Sequence, residues 1–137
     1  MVKLIYGPKG FGKTKIIKDN VNAAAKETDG CVVFITDKKV YSADIDLNVR
    51  CVFTEEYSVA CMCAFTGFVQ GLIAGNSDIE HIFIDGIKRI TGEANLAEYE
   101  EFFADLKEMA EKNNVEVELT LSAEKEELPK FMHEFIG

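Results

Sequence analysis

Val2-Lys3-Leu4-Ile5-Tyr6, followed by Gly7-Pro8-Lys9-Gly10-Phe11-Gly12-Lys13-Thr14-Lys15, is the stretch on which the fold turns. The first part is an apolar run with the β-branched and aromatic content of a strand. The second satisfies G-x-x-x-x-G-K-[ST] at every fixed position from Gly7 to Thr14. Glycines at 7, 10 and 12 let successive backbone N–H groups curl around a phosphate and approach it closely. From Lys13 to Lys26 the pattern puts Ile17, Val21 and Ala24 on one stripe, which predicts a helix. The first N–H groups and the dipole of such a helix favour an anion. Lys13 has the reach to span the β- and γ-phosphates of a nucleotide, and the Thr14 hydroxyl suits Mg²⁺. Pro8, Lys9, Phe11 and Lys15 complete the segment expected to contact the nucleotide. At average amino-acid usage the pattern arises by chance in about one chain per 200 of this length, and a chance match has no reason to sit between a strand and a helix.

Further strands are expected at Cys31–Thr36, Val49–Phe53, His81–Asp85 and Val115–Leu121. Most are continuous apolar runs, as for strands buried on both faces of a parallel sheet. Val115–Leu121 alternates instead, with Glu116, Glu118 and Thr120 between apolar residues, and reads as an edge strand with one solvated face. Leu96–Lys112 carries Leu96, Tyr99, Phe102, Phe103, Leu106, Met109 and Ala110 at helical spacing. A last helix is expected near Leu128–Phe135, with Pro129 in its first turn. Strand–helix alternation throughout predicts an α/β three-layer sandwich with a mostly parallel five-stranded sheet, residues 1–137 forming one domain.

His81-Ile82-Phe83-Ile84-Asp85 is an apolar strand ending in an acid, which places Asp85 to hold Mg²⁺ opposite Thr14. With the glycine-rich loop, this makes the chain resemble the P-loop NTPases, and within them the RecA/KaiC-type ATPases. The resemblance implies the P-loop NTPase fold, a site for ATP or ADP with Mg²⁺, and a small hydroxyl residue that senses the γ-phosphate at the end of the strand after the amphipathic helix. Thr120 or Ser122 is the counterpart here. Many relatives place Glu directly after the metal-holding acid, whereas this chain has Gly86. RecA/KaiC-type proteins instead carry Glu at the end of the strand following the phosphate-loop helix. Asp37 stands at that point, and the next strand ends in Thr54-Glu55-Glu56. Asp37 and Glu55 are thus the candidates for orienting water, with Lys13 stabilising charge.

Composition narrows the function further. Apolar residues make up 47% and charged residues 28% of the 137, ordinary values for a globular domain. The net charge of −9 is uneven: residues 1–40 carry eight Lys against four acids, and the remainder seven Lys/Arg against twenty acids. Cationic character confined to the first segment suits a small phosphorylated ligand better than nucleic acid. Cys31, Cys51, Cys61 and Cys63 lack metal-ligand spacing. An apolar strand from Lys3 onward leaves no room for a targeting signal, so a cytoplasmic protein is expected.

The longest apolar run, Val59–Ala74, is too short and too interrupted to cross a membrane. Its only polar side chains are Thr66 and Gln70, so it reads either as a buried central helix or as an interface to a protein partner or a second copy. Arg50 and Arg89 are the only arginines, fewer than the arginine-lined lids of small-molecule kinases. The thymidine kinases resemble the chain in size and element order, but their paired CxxC motifs are absent. Arg89, just past Asp85, reads as a surface charge, the alternative being a group that faces the γ-phosphate of a neighbouring subunit. Two main readings remain, a slow Mg-ATPase and a non-catalytic module in which ATP or ADP is a regulatory ligand; a small-molecule kinase similar to the thymidine kinases ranks third and needs an acceptor site that the sequence does not mark.

Overall fold

The computed structural model describes residues 1–136. Five strands, β1 (Val2–Gly7), β2 (Cys31–Thr36), β3 (Arg50–Phe53), β4 (Ile79–Asp85) and β5 (Glu116–Ser122), form one sheet in the order β1-β5-β4-β2-β3. Every strand pairing is parallel. The helices are α1 (Lys13–Glu27), α2 (Met62–Gly75), α3 (Ile87–Thr91) and α4 (Glu100–Asn113).

The sheet divides the core. On one face, Ile17, Val21 and Ala24 of α1 close over Val32, Phe34 and Phe83. On the other, Phe65 and Val69 of α2, Ile87 of α3 and Phe102 and Leu106 of α4 share a larger cluster with the alternate residues of β2, β4 and β5. The protein is therefore α/β, with helices on both faces of a parallel sheet. Each large side chain so buried contributes about 1.5–3 kcal/mol against chain entropy.

β5 is not an edge strand. It lies between β1 and β4, with Val117 opposite both Val2 and Ile82. Its alternation has another cause: Glu116 is exposed, but Glu118 accepts a hydrogen bond from Asn20 Nδ2 of α1 at 2.9 Å and lies 3.7 Å from Lys3 Nζ, and Thr120 is buried and bonded to Asp85. A satisfied polar face toward a helix yields the same period-2 pattern as a face toward water. The edges are β1 and β3, and Ile136 bridges to Leu4 in parallel, covering part of the β1 edge.

The Val59–Ala74 run does not fold into a fully buried helix. α2 begins only at Met62 and buries Phe65, Val69 and Ile73, while Cys63, Ala64, Gly67, Gly71 and Ala74 are exposed. Its exposed side is thus made of small apolar residues together with Gln70, and it carries no charged side chain. The Leu96–Lys112 pattern divides into a 3-10 turn, Leu96–Tyr99, and α4 proper. The C-terminal segment after Pro129 is a 3-10 helix, Lys130–Phe135, rather than an α-helix. Among the described residues, no helix is long and apolar enough to cross a membrane.

Candidate functional site

Because all five strands run the same way, their carboxyl ends, and the loops that follow, gather at one end of the sheet. Gly7 ends β1 beside Ser122 of β5, and Thr36 of β2 lies opposite Asp85 of β4. Residues far apart in the chain thus meet there.

The Gly7–Thr14 segment leads directly into α1. Gly10 and Gly12 have φ of 88° and 89°, the left-handed region that side chains disfavour. A Cβ at either would meet nothing within 4 Å, so conformation rather than crowding selects glycine. Gly7 differs: a Cβ there would lie 2.7 Å from the Phe11 ring. Lys13 is buried and donates from Nζ to the Pro8 carbonyl at 2.9 Å. Burial pulls its pKa below the ordinary lysine value; Asp85 opposes this, while Arg89 and Lys88 add to the lowering. Pro8, Lys9 and Phe11 are exposed, and Lys15 pairs with Asp19 at 3.0 Å in solvent.

Asp85 is the centre of the cluster and only 1% exposed. Thr14 Oγ1 lies 3.1 Å from its Oδ2 and 3.4 Å from its Oδ1. Thr120 donates to Oδ1 at 2.7 Å and accepts from the Gly86 amide at 2.9 Å. Of the two hydroxyls considered at the end of β5, Thr120 is the one bonded to Asp85, whereas the Ser122 carbonyl accepts from Lys88 Nζ at 2.6 Å. Asp37 is brought to the same place: Thr36 Oγ1 reaches its Oδ1 at 3.3 Å, and Arg89 Nε donates to that oxygen at 3.0 Å. Glu55 shares the sheet end through its amide, which reaches the Asp37 carbonyl at 3.4 Å, but its side chain is exposed and takes no part in the Asp37–Arg89–Asp85 bonds.

Arg89 is no ordinary surface charge. It is held between Asp37 and Asp85 and stacks on Tyr41, with Cζ 4.1 Å from the ring centroid. Neither Lys88 nor Tyr41 stood out in the sequence. The available signal for Arg89 was its position four residues after Asp85 across a one-turn helix, α3, which brings the two side chains to one face.

The donor set fits a metal–phosphate ligand. Thr14 and Asp85 supply hard oxygens of the kind Mg²⁺ prefers, and Lys13 supplies a cation beside them of the kind that phosphate needs. Among the described residues there is no cluster of three or more His, Cys, Asp or Glu side chains able to hold a metal without such a ligand. No protein-family model matches the chain, and no curated protein matches it.

Proposed function

We propose that the protein binds a Mg²⁺-complexed nucleoside triphosphate through Gly7–Thr14, as a P-loop domain resembling the RecA/KaiC type. Within that class we read it as a slow ATPase whose nucleotide state is coupled to a partner or to self-association. The single observation that carries the reading is the convergence of Thr14 and Thr120 on the buried carboxylate of Asp85. A hydroxyl from the glycine-rich loop and another from the neighbouring strand meet one acid, beside a buried lysine.

In this reading the loop amides and Lys13 stabilise charge on the phosphate oxygens. Thr14 and Asp85 hold Mg²⁺, which when bound neutralises phosphate charge and orients the chain's ligand. Thr120 fixes the rotamer of Asp85 so that its other oxygen faces Thr14. Of the two candidate carboxylates we give the role of orienting water to Asp37, because it joins the Asp85 cluster through Arg89 whereas Glu55 is exposed. A regulatory module that binds without hydrolysis is the second reading. It is favoured by Gly86 at the position where many relatives carry Glu, and by the engagement of Asp37 with Arg89.

The test follows phosphate release and nucleotide binding in the same samples, with Lys13→Ala and Asp85→Asn alongside. Losing the charge-assisted contacts of Lys13 is expected to weaken Mg-ATP about ten- to a hundredfold. Release abolished by both substitutions supports the ATPase; binding without release supports the regulatory module. Unchanged Mg-ATP affinity in a folded Lys13→Ala protein sinks both.

A further inference from the structure

Arg89 folds back over Gly86 instead of extending into solvent. A Cβ at Gly86 would clash with Arg89 Cζ and Nη2, so the missing side chain clears the path of the guanidinium. That group makes several contacts at once. Nε donates to Asp37 Oδ1 at 3.0 Å, Nη2 lies 3.5 Å from the Asp85 carbonyl and 3.7 Å from Asp85 Oδ2, and the plane covers Tyr41. A planar fork can serve two carboxylates and an aromatic face together, which a lysine ammonium cannot. Asp85 Oδ2 is also the oxygen that Thr14 approaches most closely. A metal held by Thr14 and Asp85 therefore meets Arg89 as a competitor for the same atom.

Resting on the nucleotide-site reading above, we propose that Arg89 is a positioning residue that stands in for the metal. In the free protein it ties Asp37 to Asp85 and balances their charge. When Mg²⁺-nucleotide binds, Arg89 yields Asp85 Oδ2 and remains on Asp37 and Tyr41, holding the Asp37 carboxylate at the mouth of the site. Its side chain is 37% exposed, so this shift requires no opening of the core.

The test needs no turnover. With Arg50 and Arg89 the only arginines, Arg50→Lys assigns the two Nε–H signals in a ¹⁵N spectrum. The Arg89 signal is expected to be protected from exchange in the free protein and to lose that protection in Asp37→Asn. Mg-ADP should shift it while leaving it protected. ADP affinity is then measured with Mg²⁺ and with chelator for wild type, Arg89→Ala and Arg89→Lys. Removing the competitor should increase the tightening caused by Mg²⁺ by roughly two- to fivefold in Arg89→Ala, the size of a partly exposed ion pair. Arg89→Lys should lie between Arg89→Ala and wild type.

Equal weakening of ADP in Arg89→Ala with and without Mg²⁺ would overturn the proposal and make Arg89 a phosphate contact. An unmoved Nε signal with unchanged affinities would reduce it to a surface ion pair. A wild-type protein that binds neither ADP nor Mg-ADP overturns the nucleotide reading itself, and with it the role given to Arg89.

Discussion

Thr120 and Asp85 are joined by a 2.7 Å hydrogen bond between neighbouring strands, and the same Thr120 oxygen accepts the amide of Gly86 at 2.9 Å. One hydroxyl thereby satisfies a buried carboxylate and fixes the turn that begins immediately after it.

Thr120→Val keeps the shape and removes both bonds. It leaves the Asp85 carboxylate and the Gly86 amide short of a partner in a dry environment, so a loss of about 1–3 kcal/mol is expected. Thr120→Ser should recover most of it. Urea unfolding of the three proteins decides; a valine variant as stable as wild type would show that water replaces the hydroxyl.

Lys13 gives a pH dependence whose sign follows from its lowered pKa. The unfolded chain binds a proton at this lysine up to about the ordinary value of 10.5, whereas the folded protein releases it earlier. Between the two the unfolded state holds more protons, so this group's contribution to stability rises with pH in that window. Keeping the buried ammonium charged is correspondingly a cost below the window. Lys13→Met should remove the alkaline rise and leave the protein at least as stable at neutral pH. Urea midpoints from pH 7 to 10.5 test it, and parallel curves for the two proteins would contradict it.

Gly71 lies in the middle of α2 on its exposed side, and a Cβ there meets nothing within 4 Å. Gly71→Ala should stabilise an unoccupied face by about 0.5–1 kcal/mol, by restricting the unfolded chain. Destabilisation, together with a change in sedimentation, would instead show that another copy packs closely on this face.

Phe102 sits among Phe65, Tyr99 and Phe103 with ring centroids 5.8–6.1 Å away. It joins α4 to α2 and is almost fully buried. Phe102→Ala is expected to cost about 3–5 kcal/mol, read from chemical denaturation. A cost below about 1 kcal/mol would mean that the two helices collapse into the space.

Much of the element order was legible in the sequence because strand and helix periods are local properties. Val2–Tyr6, Cys31–Thr36 and Lys13–Lys26 read correctly to within a residue or two, since apolar spacing alone reports which side of each segment is buried. The position of β5 did not follow, because alternation says that two faces differ without saying what covers the polar one. Whether the Val59–Ala74 run is buried was not legible for a related reason: Gly, Ala and Cys register as apolar wherever they point. Asp37 and Asp85 stood out as acids at strand ends, yet nothing in their spacing showed that Arg89 joins them.

The sequence by itself determined the alternation of strands and helices, the glycine-rich turn before α1, and an acid at the end of β4, because each is encoded by neighbours within a few residues. Only the tertiary structure decided that β5 separates β1 from β4, that Thr120 rather than Ser122 reaches Asp85, and that Arg89 bridges Asp37 and Asp85 across Gly86. Those relationships depend on strand order and on which side chains share a small enclosed volume, and local propensity carries no information about either.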